Sequence, residues 1–70
     1  MRKINSEMAG MLIEILVKPG DAVTVGQNIA KIESMKMEIE VPSPLEGTVE
    51  EVVAEAGEFV NEGDTLIVLA

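Results

Sequence analysis

The sequence contains neither cysteine nor histidine, and phenylalanine at position 59 is its one aromatic residue. Without cysteine there is no disulfide framework, no thiolate nucleophile and no Cys-based zinc site. Without histidine there is no Ser-His-Asp triad, no switch near physiological pH and no imidazole for a transition metal. No metal site and no catalytic residue is predicted. Basic residues are also scarce: five against thirteen acidic ones, a formal net charge of −8. That charge repels phosphate backbones, and one aromatic ring makes no base-stacking platform, so nucleic acid is excluded as a partner. The longest apolar runs, Met11-Leu12-Ile13 and Ile15-Leu16-Val17, are far too short to cross a bilayer as helices. The start, Met1-Arg2-Lys3-Ile4-Asn5, has no apolar stretch behind its basic pair, so no signal peptide is expected and a cytoplasmic location is the default.

What is present is enough to fold. Hydrophobic residues make up 47% of the 70, too many for a disordered acidic tail. A chain of this length forms one small domain, here residues 1–70, with a modest core and no room for a large substrate cleft. A complete enzyme is not expected.

The chain repeats itself. Gly10, Gly20 and Gly26 recur as Gly47, Gly57 and Gly63, each pair 37 residues apart. At the same offset Ser6 matches Ser43, Glu14 matches Glu51 and Val23 matches Val60, and Leu12, Ile15, Ile29 and Ile32 meet Val49, Val52, Leu66 and Leu69. Asp21 and Glu58 keep a carboxylate after each central glycine. Two copies of one supersecondary unit, about 6–33 and 43–70, account for this register.

Each copy reads as strands. Met11, Ile13, Ile15 and Val17 alternate with Leu12, Glu14, Leu16 and Lys18, and Thr48–Glu55 repeats the alternation. Pro19-Gly20-Asp21 and Ala56-Gly57-Glu58 are turn signals, with glycine taking the positive φ. Gly26-Gln27 and Gly63-Asp64 mark a second turn before strands at Asn28–Glu33 and Thr65–Leu69. A helix over Val49–Ala56 is the weaker reading, because glycines bracket a run too short for one. The expected fold is all-β: a flattened barrel-sandwich of two four-stranded antiparallel sheets with pseudo-twofold symmetry.

Between the copies lies Glu33-Ser34-Met35-Lys36-Met37-Glu38-Ile39-Glu40-Val41-Pro42-Ser43-Pro44. Strands at Ile29–Glu33 and Glu38–Val41 leave Met35-Lys36 as a two-residue turn within a 34–37 hairpin tip. Neither residue suits such a turn, and violations of local chemistry mark functional or strained sites. Taken singly, a lysine among acids is a solvated surface residue and a methionine is a core filler. A lysine at the centre of a repeat, between two methionines and framed by Glu33, Glu38 and Glu40, is a rarer combination.

Glu-Ser-Met-Lys-Met-Glu resembles the attachment signature of biotin carboxyl carrier domains, commonly Ala-Met-Lys-Met, in the biotin/lipoyl attachment family. Val41-Pro42-Ser43-Pro44-Leu45-Glu46-Gly47-Thr48-Val49 is similar to the family's lead into its second half, and the likeness runs from about Ile4 to Ala70. It implies a barrel-sandwich with the modified lysine on an exposed hairpin. Lys36 would carry covalent biotin, with Met35 and Met37 as flanking recognition residues beside Ser34, Glu33 and Glu38. The implied partners are biotin protein ligase, biotin carboxylase and carboxyltransferase or decarboxylase, and the implied role is a non-catalytic carrier. Two departures stand out. Ser34 replaces the commonest alanine, and Val17 to Ile29 leaves no insertion for the protruding thumb of some bacterial carriers. A lipoyl carrier using the same lysine is the first alternative, although such hairpins more often show Asp-Lys-Ala. A non-carrier acidic interaction module is the second, and it leaves the repeat unexplained.

Overall fold

β-Branched residues at alternate positions, broken at regular intervals by glycine turns, give eight short strands in the computed structural model, which describes residues 2–70. They are β1 (Arg2–Asn5), β2 (Gly10–Ile15), β3 (Ala22–Val23), β4 (Asn28–Ser34), β5 (Met37–Pro42), β6 (Gly47–Val52), β7 (Phe59–Val60) and β8 (Thr65–Leu69). All ladders are antiparallel, in two four-stranded sheets ordered β1-β8-β6-β3 and β5-β4-β2-β7. The expected all-β sandwich is what forms. Residues 47–52 are strand β6, so the helical alternative is ruled out.

The 37-residue offset carries each strand of one sheet onto a strand of the other: β2 onto β6, β3 onto β7, β4 onto β8. It also carries β1 onto the second half of β5, so the repeat begins before residue 6 and includes Arg2–Asn5. The halves interlock, since β3 pairs with β6 and β7 with β2. Gly20 N–H donates to the Val49 carbonyl (2.8 Å), and its counterpart Gly57 N–H donates to that of Leu12 (2.7 Å). Both glycines have positive φ, 96° and 93°. The carboxylates that follow close the turns: Asp21 accepts from Lys18 N–H at 3.0 Å and Glu58 from Glu55 N–H at 3.2 Å. Satisfying the backbone locally lets such short strands persist.

Inward-facing side chains of the two sheets form one contiguous core, with Leu12, Ile29, Ile32, Leu66, Ile67 and Leu69 fully buried. The plain alternation stops at the bulges. Ladder registers slip between Leu12 and Glu14 and, at the equivalent place, between Val49 and Glu51. Ile13 and Glu50 are therefore extra residues, and both are exposed. No helix among the described residues is long and apolar enough to cross a membrane.

Candidate functional site

The 34–37 segment folds as the sequence predicts. Strands β4 and β5 run antiparallel from Asn28↔Pro42 to Ser34↔Met37, leaving Met35 and Lys36 as the two turn residues. Both lie at positive φ, 54° and 65°, the pattern of a type I′ turn, whose twist matches a right-twisted hairpin. Asparagine and glycine suit these positions. At any other L-residue the Cβ crowds the following carbonyl oxygen there, with no local side-chain hydrogen bond to offset it, at a cost of about 1–2 kcal/mol each. They are the only non-glycine residues with positive φ among those described. The strain that the sequence pointed to is therefore real, and it falls on the residue predicted to be modified and its neighbour.

Lys36 projects from this tip into solvent. Met35 is 92% exposed and Met37 63%, so neither is a core filler. Ser34 is half-buried opposite Met37. Glu33 and Glu38 face each other one pair below, both exposed. Like charges at directly opposed positions destabilise a ladder, a second local cost at the same tip. All six predicted site residues thus come together in one hairpin end. The other lysines lie elsewhere: Lys3 on β1, Lys18 before the first turn, and Lys31 half-buried within β4.

The arrangement can present an amine and little more. No group of three or more acidic side chains among the described residues could hold a metal ion. A covalent amide needs a primary amine that another protein can approach from several sides, and Lys36 meets that need. The turn carries Lys36 at the end of the hairpin, and the seven-residue strand β4 and six-residue strand β5 join it to the core through a ladder unbroken from Ala30 to Ser34.

The sequence reading gave no site role to Met11, Ile13 and Phe59, three large apolar residues exposed on the lysine-bearing sheet. Their signal was a mismatch in the repeat: at the 37-residue offset they meet Thr48, Glu50 and Ala22.

Comparison with known proteins bears on the family and the fold. The family model described as "Biotin-requiring enzyme" matches residues 2–69. The biotin/lipoyl attachment protein of Bacillus subtilis (strain 168) is 46% identical over 67 residues, spanning 96% of this chain and 92% of that protein. The mitochondrial propionyl-CoA carboxylase alpha chain of Homo sapiens is 46% identical over 66 residues, which is 94% of this chain but 9% of the human one. The dihydrolipoyllysine-residue acetyltransferase component of the Pseudomonas aeruginosa pyruvate dehydrogenase complex is 43% identical over 60 residues, 86% of this chain and 11% of that protein. Against the latter two the chain spans only about a tenth of the relative's length. Among solved structures, the urea carboxylase of Kluyveromyces lactis superposes with a TM-score of 0.89 at 29% identity, over 99% of this chain and 6% of that one. A strained hairpin lysine on a twofold-repeated sandwich, matched from end to end by the family model, makes this chain a member of the biotin/lipoyl attachment family, whose domains are non-catalytic carriers.

Proposed function

We propose that the chain is a biotin carboxyl carrier whose Lys36 is the attachment site. The observation that carries this reading is the exposed Met35-Lys36 turn at consecutive positive φ, flanked by a second exposed methionine. Lys36 Nζ, once it has lost a proton to the ligase, attacks the acyl carbonyl of a biotinyl adenylate, forming an amide and releasing AMP. Attachment deletes one positive charge and takes the formal net charge from −8 to −9. Biotin, when bound, supplies a ureido nitrogen that carries a carboxylate between active sites. The chain's own residues supply tethering. A rigid sandwich with a projecting lysine raises the local concentration of the carried group at each partner site.

On this reading the 70 residues act as one unit, Met35, Met37, Ser34, Glu33 and Glu38 are recognition elements, and the partners are a ligase, a biotin carboxylase and a carboxyltransferase. The similarity to carboxylase chains supports that set. A cysteine-free chain has no need of an oxidising compartment, which suits the cytoplasm.

The relationship to a dihydrolipoyllysine acetyltransferase favours one second reading, in which Lys36 carries lipoate. Intact-mass analysis of the chain from its native host separates the two, since biotin and lipoate differ in mass. The biotin reading expects streptavidin binding by the wild type and none by Lys36→Ala. A Lys36→Ala chain that still binds streptavidin refutes the site, and a lipoyl mass at Lys36 refutes the cofactor.

A further inference from the structure

Three large apolar side chains stand on the outer face of the sheet that carries Lys36: Met11 at 41% exposure, Ile13 at 37% and Phe59 at 58%. Single exposed hydrophobics are ordinary on any protein. These three are not scattered. Phe59 pairs with Met11 across the β7–β2 ladder, Met11 pairs with Glu33, and Glu33 pairs with Glu38. One row therefore crosses the whole sheet in the order Phe59, Met11, Glu33, Glu38. It lies one residue pair below Ser34↔Met37, immediately beneath the lysine turn.

The repeat supplies an internal control. The same row on the opposite sheet holds Ala22, paired with Thr48, and the bulge position of Ile13 is taken there by Glu50. The identical scaffold is thus built with small or polar side chains at all three places. Leu16 and Val53, by contrast, are exposed at equivalent positions, and their exposure belongs to the repeated unit. Folding does not demand Met11, Ile13 and Phe59. They appear only on the sheet with the lysine.

We propose that this row, together with the bulge residue Ile13 beside it on β2, is the docking surface for the ligase that modifies Lys36, a protein with an apolar rim facing Met11, Ile13 and Phe59 and basic groups facing Glu33 and Glu38. The proposal rests on Lys36 being the attachment site. A lysine side chain reaches only about 6 Å, so a ligase that takes Nζ into its active site must lay its rim on the rows just below the turn. Strand spacing of about 5 Å puts Met11 one step and Phe59 two steps across the sheet from Glu33, inside that footprint. An enzyme that uses the finished conjugate meets a longer arm and can stand further off. The row is apolar at one end and doubly acidic at the other, so it also fixes which way round the ligase sits.

The chain lacks cysteine, which makes a site-specific test simple. Phe59→Cys and, on the opposite sheet, Ala22→Cys are each alkylated with the same bulky anionic maleimide. Both are then biotinylated by purified biotin protein ligase. Labelled Phe59→Cys should show KM for the carrier raised about tenfold, the loss expected from blocking an interface anchor, with kcat nearly unchanged. Labelled Ala22→Cys should match the wild type. The unlabelled double variant Met11→Thr, Phe59→Ala, which borrows the residues of the other half, should also raise KM while staying folded at the assay temperature, its melting temperature lower by no more than the few degrees that one lost cross-strand pair accounts for. Equal KM values for the two labelled chains, or for the double variant and the wild type, overturn the docking surface and leave Lys36 as the attachment site. Failure of the wild type itself to be modified removes both readings.

Discussion

Ser6 and Ser43 make the same set of hydrogen bonds 37 residues apart. Each hydroxyl donates to the carbonyl two residues on, Met8 or Leu45, and accepts from that residue's N–H at 3.3 Å. Each backbone then clasps a turn: Ser6 N–H donates to Asp64 and Gly63 N–H to Ser6, while Ser43 N–H donates to Gln27 and Gly26 N–H to Ser43. They are the two buried polar residues among those described. Ser6 closes onto a turn of the second half, and Ser43 onto one of the first. The halves are tied together twice by one device.

Ser6→Ala and Ser43→Ala should therefore destabilise by similar amounts, about 1–3 kcal/mol, because each leaves a shielded carbonyl without its hydroxyl donor. Urea unfolding of both variants checks this. A large loss at one site and none at the other would contradict their equivalence.

Gly20 and Gly57 offer a second matched pair. Nothing lies within 4 Å of a Cβ built at either, so alanine costs only the strain of positive φ, about 1 kcal/mol, and should lower both melting temperatures by a few degrees. Gly10 is a different case. A Cβ there meets Ile32 Cγ2 at 2.5 Å and the Glu33 carbonyl oxygen at 2.6 Å. A backbone oxygen cannot swing aside, so Gly10→Ala should lose about 1–3 kcal/mol through overpacking, and its melt should fall below that of Gly57→Ala.

Met35→Asn should make the protein more stable and a poorer ligase substrate. Asparagine tolerates the left-handed conformation that Met35 holds at φ 54°, relieving roughly 0.5–1 kcal/mol. Thermal melts and biotinylation rates are then expected to move in opposite directions. An unchanged rate would show that Met35 plays no part in recognition.

Met37→Ala should leave the melting temperature almost where it is, since its side chain is 63% exposed, while slowing modification or carboxyl transfer. A loss of about 2–5 kcal/mol would instead mark a buried methionine.

Much of this molecule is legible in its sequence because its determinants are local. Period-two apolar patterning, glycines needed for positive φ and carboxylates that cap backbone N–H groups act over a few residues, and the 37-residue register shows each of them twice. The hairpin tip is legible for the same reason: Met35-Lys36 violates a two-residue turn rule that depends on those residues alone. What tertiary structure decided is long-range. Arg2–Asn5 becomes a strand only by pairing with Thr65–Leu69 at the other end of the chain. Phe59 and Met11 become neighbours only because β7 crosses to the sheet of the other half. The bulge at Ile13 then leaves Glu14 outward, paired with Lys31, and returns Ile15 to the core side, the reverse of what simple alternation from Leu12 assigns them. Such pairings depend on which strand edges remain free once the local units have formed, and that is a property of the assembled sheets.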